Sequence, residues 1–267
     1  MCYYNGQKVT RAEYIRLKEL EKELANYDFL NTDLEIGFEY KTTAVLKPIP
    51  GKNDFEIVQM EWGLIPHYIH SREDLEKLRK GGVDPDTGKF KPPILTLNAI
   101  GEELLDKVSY KQAAKQRRCI VLSSGFYEWR HIFPISKKTG KPLKTAVKIP
   151  HYISIKDKEY FFMAGIWSPF TDKKTGEYVE SVSIVTTKAN SLMEKVHNVK
   201  KRMPTILPED LAYRWMFDGL SDDEITELAT YQFPAEEMYA HTVQKGFIGS
   251  LNPTEKFVYE EYPELVY

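Results

Sequence analysis

The sequence of 267 residues predicts an α+β fold. Strand-like apolar runs and helical patterns occur without the regular strand–helix–strand alternation that builds a parallel sheet. No Pro/Gly/Ser-rich linker divides the chain, so residues 1–267 are expected to form one domain. Apolar residues make up 42% and charged residues 28%, the balance of a core-bearing globular chain rather than a disordered one.

Taken in order, Thr10-Arg11-Ala12-Glu13 matches a capping box and predicts a helix running to about Asn26 with its charged face outward. Residues 34–47 and 55–62 read as strands, broken by the Pro- and Gly-containing stretch 48–53. A charged helix is expected from Ser71 to Lys80, followed by a loop around Gly81-Gly82-Val83-Asp84-Pro85 that reads as a surface insertion. Cys119 opens a short apolar run, and a turn at Ser123-Ser124-Gly125 leads into Phe126-Tyr127-Glu128-Trp129. Apolar runs at 151–155 and 160–167 flank a charged turn, and 179–187 starts with period-two alternation. Helical patterns return at 189–196, at 208–217 and at 222–231, the last behind the capping box Ser221-Asp222-Asp223-Glu224.

Several classes are excluded at this level. No run approaches 18 uninterrupted apolar residues, so no transmembrane helix is expected, and the first residues lack the pattern of a secretory signal. Cys2 and Cys119 are too few for a disulfide framework, and the expected location is cytoplasmic. No His/Cys/Asp cluster has metal-ligand spacing and no Gly-rich phosphate loop occurs, so neither metal nor cofactor is expected.

The net charge of -2 conceals a segregation. Residues 107–148 hold eleven Lys or Arg against the single acid Glu128, whereas 207–267 hold thirteen acids against three bases. One face can thus present a positive field to a polyanion; the alternative is that Lys137-Lys138-Thr139-Gly140-Lys141 is only a solvated hairpin tip.

Cys2 is the residue with unusual chemistry. Removal of Met1 would leave a 1,2-aminothiol, with an amine of pKa roughly 7.7–8.0 and a thiol near roughly 8.5. Such a pair condenses with an aldehyde to an imine and then closes a thiazolidine ring, or the amine serves as base for its own thiol. The alternative is a second residue in a frayed terminus. Glu128 lies among large aromatics that would desolvate it and raise its pKa toward proton transfer near neutrality, unless it is a strand-edge partner of Arg130 or Arg118. His197 ends a short helical stretch and reads as structural or functional; Asn98 follows a strand and reads as a turn former or a hydrogen-bonding group.

At this point the sequence resembles the SOS response-associated peptidase (SRAP) family, which shields abasic sites in single-stranded DNA. The resemblance rests on Met1-Cys2, Trp62-Gly63-Leu64-Ile65-Pro66, Asn98-Ala99 with Glu102, Arg117-Arg118-Cys119 and Gly125-Phe126-Tyr127-Glu128-Trp129. It continues through Ala164-Gly165-Ile166-Trp167, Thr186-Thr187-Lys188-Ala189-Asn190, and His197 with Arg202-Met203-Pro204, in order over about residues 1–210. It implies a mixed, largely antiparallel, barrel-like sheet with peripheral helices, the acidic segment 211–267 packing on the same domain.

The resemblance also implies that Cys2 forms a thiazolidine crosslink with an abasic deoxyribose. Asn98 would hold the Cys2 end, Glu128 would shuttle protons and His197 would assist opening of the sugar ring. The implied partner is single-stranded DNA bearing abasic sites, bound by a monomer that is nucleoid-associated when on DNA. Tyr68, Trp129, Thr186 and Arg202 are the implied DNA-binding residues, whereas Trp62 and Trp167 are expected in the core. Three features depart from the family pattern. Cys2-Tyr3-Tyr4 stands where Cys-Gly-Arg is common, Ile100 stands where an Arg is common, and Asn198-Val199-Lys200-Lys201 lengthens the spacing to Arg202. Lys200 and Lys201 are point charges without the bidentate fork of the missing arginines. The rival readings are a thiol (auto)peptidase using Cys2 and a noncatalytic single-stranded DNA-binding module.

Overall fold

The computed structural model describes residues 2–84 and 87–262. Its elements, in chain order, begin with β1 (Tyr4–Lys8), a hairpin of β2 (Tyr14–Leu17) and β3 (Leu20–Glu23), β4 (Asn31–Ile36), β5 (Thr42–Pro48), β6 (Phe55–Trp62) and α1 (Arg72–Lys80). A two-residue pair β7 (Gly82–Val83) and β8 (Phe90–Lys91) follows, then β9 (Asn98–Ile100), α2 (Val108–Gln116), β10 (Arg118–Ser123) and β11 (Gly125–Ile132). The chain continues through β12 (Val147–Ile155), β13 (Phe161–Thr171), β14 (Tyr178–Lys188), α3 (Ser191–Val196), β15 (Arg202–Pro204) and β16 (Ile206–Leu207). It ends with α4 (Glu209–Phe217), α5 (Asp222–Ala229) and β17 (Met238–Thr242).

Five strands close on themselves. β14 pairs with β6, β6 with β5, β5 with β10, β10 with β13, and β13 again with β14. Only the β14–β6 contact in this ring is parallel; the others are antiparallel. Closure removes the free edges that an open sheet exposes. It also explains why β10 is buried at every position: both of its faces are covered. A second, five-stranded sheet runs β17-β12-β11-β1-β4 and is antiparallel throughout. The two layers are stitched by an amide rather than by apolar contact alone. Gln7 on β1 donates from Nε2 to Thr43 Oγ1 (2.9 Å) and to the carbonyl of Leu122 (2.9 Å), and its Oε1 accepts from the amide of Ala44 (2.9 Å). The α+β, barrel-like architecture is the one expected.

Two local expectations are corrected. The stretch after Thr10 is a β-hairpin, not a helix. Ile15 and Leu17 alternate into the core, both 0% exposed, and Lys18 turns the chain at φ 54°. The Thr10 amide, which the Glu13 side chain of a capping box would have satisfied, donates instead to Glu159 Oε1 at 2.7 Å, and the Arg11 amide joins it at 2.6 Å. Burial of the period-two face overrode the local helix signal. The run 34–47 is likewise two strands, separated by a 3-10 turn at Gly37–Glu39 that ends on a left-handed Tyr40. The insertion after α1 folds back as the β7–β8 pair, and Pro85 lies outside the described residues.

Other readings match the structure. Ser71 caps α1 by accepting from the amide of Asp74, and the Ser221/Glu224 capping box of α5 is complete. Trp62 is 2% exposed in the core. Trp167, expected in the core with it, is instead only half-buried, with Lys47 Nζ 4.8 Å from its ring centroid. The acidic C-terminal segment packs on the barrel: the Trp215 indole donates to the carbonyls of Cys119 and Gly165, both at 3.1 Å, and β17 adds an edge to the second sheet. No helix among the described residues is long and apolar enough to cross a membrane.

Candidate active site

Cys2 precedes β1 and is 0% exposed, packed in the apolar cluster that contains Trp62, Leu97, Cys119 and Phe126. Its backbone is held from two sides. Asn98 donates from Nδ2 to the Cys2 carbonyl at 2.9 Å, and the amide of Gly37 donates to the carbonyl of Tyr3 at 2.8 Å. Asn98 reaches this point because β9 runs parallel to β14, with Asn98 opposite Ile184 and its own carbonyl accepting from the Tyr110 hydroxyl at 3.3 Å. The Asn98 Oδ1 is buried and has no hydrogen-bond partner among the described residues. An amide acceptor left open beside the Cys2 backbone is costly in an apolar setting, and the position can take a further donor.

Burial raises the Cys2 thiol well above its ordinary range, and the neighbouring Glu128 carboxylate adds to the effect. Glu128 sits in mid-β11 opposite His151, 4% exposed, and burial pushes its carboxyl up to about 7. His197 ends α3 and is pushed down to about 4, chiefly by burial. Its Nε2 lies 3.7 Å from Glu128 Oε2, longer than a hydrogen bond, and the imidazole is neutral near pH 7, so the contact is not an ion pair there. The His197 Nδ1 is 2.9 Å from the carbonyl of Arg202. A carbonyl only accepts, so Nδ1 carries the proton and Nε2 presents a lone pair toward Glu128.

The four residues that lengthen the spacing after His197 preserve this arrangement. The amide of Lys201 returns to the His197 carbonyl at 2.8 Å, with Lys201 itself left-handed at φ 49°. Asn198 grips β11 twice, accepting from the amide of His131 at 2.9 Å and donating to its carbonyl at 2.8 Å. The imidazole and the carboxyl are thereby tied to one another through backbone.

Arg202 forks onto Glu102, with Nη1–Oε1 and Nη2–Oε2 both 2.8 Å. Burial opposes ionisation of Glu102, but the Arg202 fork holds its carboxyl below the ordinary value. Thr186 is 0% exposed, with its hydroxyl turned to the Ala99 carbonyl at 3.4 Å, so it faces the interior beneath Arg202. Tyr68 is 40% exposed, its hydroxyl 2.9 Å from Ser109 Oγ. Trp129 is half-buried, and its ring meets Tyr4 edge-on with centroids 4.9 Å apart. The structure therefore gathers Cys2, Asn98, Glu128 and His197, with Arg202 and Thr186 alongside, and leaves Tyr68 and Trp129 flanking.

Sequence reasoning missed a polar network beneath β1. Thr43 Oγ1 donates to Glu35 Oε2 at 2.7 Å, and Ser123 Oγ donates to Asn5 Oδ1 at 2.7 Å. Burial pushes Glu35 up to about 7, against the pull of its Thr43 and Asn5 hydrogen bonds. The only signal was two amides, Asn5 and Gln7, on one face of a strand. Cys119 is buried in mid-β10 and its thiol is pushed far up by burial, the setting of an inert core cysteine. No group of three or more potential metal ligands occurs among the described residues.

A family model described as SOS response associated peptidase (SRAP) matches residues 1–248. Among curated proteins, the chain is similar to the abasic site processing protein YoqW of Bacillus subtilis (strain 168), 31% identical over 173 residues, which cover 65% of this chain and 70% of that protein. It is also similar to the abasic site processing protein HMCES of Gallus gallus, 30% identical over 213 residues, covering 73% of this chain and 54% of that one. Among solved structures, a protein from Bacteroides thetaiotaomicron aligns with a TM-score of 0.73 at 28% identity, over 96% of this chain and all of the other. A phage-related protein from Bordetella bronchiseptica aligns with a TM-score of 0.61 at 16% identity, over 91% of this chain and 95% of the other, and shares the fold.

Proposed function

Because this chain belongs to the SOS response associated peptidase family, we propose that it processes abasic sites in single-stranded DNA by forming a thiazolidine crosslink through Cys2. The observation that carries the reading is the site itself: a buried cysteine at position 2, its carbonyl held by Asn98, beside a carboxyl that titrates near neutrality and a neutral imidazole. The names of the related proteins YoqW and HMCES support the abasic-site substrate.

The reaction requires Cys2 to be the first residue after removal of Met1; Met1 lies outside the described residues. The closed sugar opens when its C1′ hydroxyl loses a proton to His197 Nε2 and the imidazolium so formed returns that proton to the ring oxygen as the C1′–O4′ bond breaks. The Cys2 amine then adds to the C1′ aldehyde, giving a carbinolamine. Protonated Glu128 supplies the proton with which the hydroxyl leaves as water, forming the protonated imine. The carboxylate so produced takes the thiol proton as sulfur adds to the iminium carbon; the nitrogen keeps the proton it already carries, and Glu128 ends protonated as it began. One water is released overall. The thiol's raised pKa makes this base necessary, since little thiolate exists without it. A carboxyl titrating near 7 serves both transfers, where an ordinary carboxylate would lack the proton for the first.

Arg202 and the exposed Tyr68, with Trp129, are the groups proposed to meet DNA. Thr186 contributes from inside, by accepting from Arg202 and seating it. Intact mass before and after incubation with a single-stranded oligonucleotide bearing one abasic site tests the proposal. The expected result is a chain lacking Met1 that gains the oligonucleotide mass less one water, with Cys2→Ser giving no stable adduct. A processed chain that gains no mass, or a stable adduct in Cys2→Ser, would overturn it.

A further inference from the structure

Cys2 is followed directly by two large aromatic residues, Tyr3 and Tyr4. Tyr4 is already engaged, edge-on to Trp129 at 4.9 Å and 6.2 Å from Phe247. Tyr3 is not buried in that cluster. Its half-buried ring lies 4.7 Å from that of Phe38 at an interplanar angle of 43°, and Phe38 is 44% exposed.

The pair is rigidly mounted. Phe38 sits in the 3-10 turn Gly37–Glu39, whose first amide donates to the Tyr3 carbonyl at 2.8 Å. A Cβ at Gly37 would come within 3.3 Å of both that carbonyl oxygen and a Leu97 methyl, so the turn is pressed against the site wall. On its inner side, the Tyr3 phenol is within electrostatic reach of Glu128 and Cys2. On its outer side, the platform opens to solvent through Phe38.

We propose that Tyr3 and Phe38 form a stacking platform for the nucleobase adjacent to the abasic site. The inference rests on the abasic-site reading above and specifies what else in the strand the site grips. An abasic residue has no base to stack, so the nearest π-surface in the substrate is its neighbour. Consecutive Cα atoms lie about 3.8 Å apart, so a sugar attached to Cys2 lies next to the residue that carries the platform. Stacking tolerates any base and, unlike phosphate contact, releases no counterions. The adjacent base is the occupant that fits: it is planar, it is tethered to the reacting sugar, and it needs no charge from a platform that offers none.

The test uses the full chain and a single-stranded oligonucleotide carrying a tetrahydrofuran residue, an unreactive abasic analogue. 2-Aminopurine is placed immediately 5′, immediately 3′, or five nucleotides away. Wild type is expected to quench the fluorophore at one adjacent position and not at the distant one. Phe38→Ala, at an exposed site, and Tyr3→Gly are each expected to weaken binding of this probe by about five- to a hundred-fold and to remove the quenching. Equal affinity and quenching in both variants, or no adjacent quenching in wild type, would overturn the platform. The crosslinking proposal is read separately by mass on a reactive abasic oligonucleotide. Adduct without quenching removes the platform alone; quenching without adduct removes the crosslinking alone.

Discussion

A carboxyl group 4% exposed in mid-strand is expensive to ionise, and Glu128 shows the cost as a range pushed up to about 7 by burial. In the unfolded chain it loses its proton near 4.5. Between those values the folded chain holds a proton that the unfolded chain does not, so stability falls as pH rises through the window. Glu35, pushed up to about 7, acts in the same sense. His197 acts in the opposite one: neutral down to about 4 when folded and protonated below 6.5 when unfolded, it withdraws stability as pH falls through that range. Glu128→Gln is expected to raise stability at pH 8 by on the order of 2–3 kcal/mol, with the gain vanishing near pH 4. Denaturant melts of both proteins at the two pH values check this. The same variant is expected to form adduct far more slowly, because a carboxamide has no acidic proton for the departing hydroxyl. At this scale the motif residues Cys2, Asn98, Glu128 and His197 were legible in the sequence. The hydrogen bonds of Asn5, Gln7, Thr43 and Glu35 were not, because they join residues remote in the chain whose types are unremarked in strands.

Two capping boxes show where local signals decide an element and where they do not. Ser221-Asp222-Asp223-Glu224 starts a helix, since nothing nearby competes for its amides and Ile225 and Leu228 bury its apolar side. Thr10-Arg11-Ala12-Glu13 carries an equally good pattern, yet the two amides bond Glu159 and the following residues pair as strands. The difference is a distant carboxylate and a core that accepts alternate side chains, neither of which is written in the local sequence. The stretch 198–201 is a comparable case: an irregular spacing in sequence becomes a closed turn that keeps His197 against Glu128. Asn198→Ala is expected to cost on the order of 1–3 kcal/mol through the two lost hydrogen bonds. Adduct formation should slow by a similar factor at every pH, whereas Glu128→Gln alters the shape of the pH profile. Rates across pH 5–9 separate the two.

The molecule as a whole is a ring of five strands with a second sheet laid on it, and both contribute to the site. Glu128 belongs to the second sheet and Cys2 stands just ahead of its strand β1; Asn98 comes from a strand beside the ring, and His197 from the end of the helix that follows β14. Trp215 fastens the C-terminal segment to two ring strands at once, so Trp215→Ala is expected to destabilise the fold by about 3–5 kcal/mol in urea denaturation. The α+β class was legible from the order of patterns alone. The barrel-like sheet followed only from the family resemblance and not from the strand patterns, since closure depends on the parallel pairing of β14 with β6, between residues more than a hundred positions apart.

That dispersal also sets a clock. At about 5–20 residues per second, His197 leaves the ribosome roughly 10–40 s after Cys2. Throughout that interval the Cys2 thiol lacks the walls that bury it in the finished fold. Its burial is therefore acquired late, with the completed barrel, and any variant that delays closure lengthens the period in which this thiol is open to solvent and to stray electrophiles.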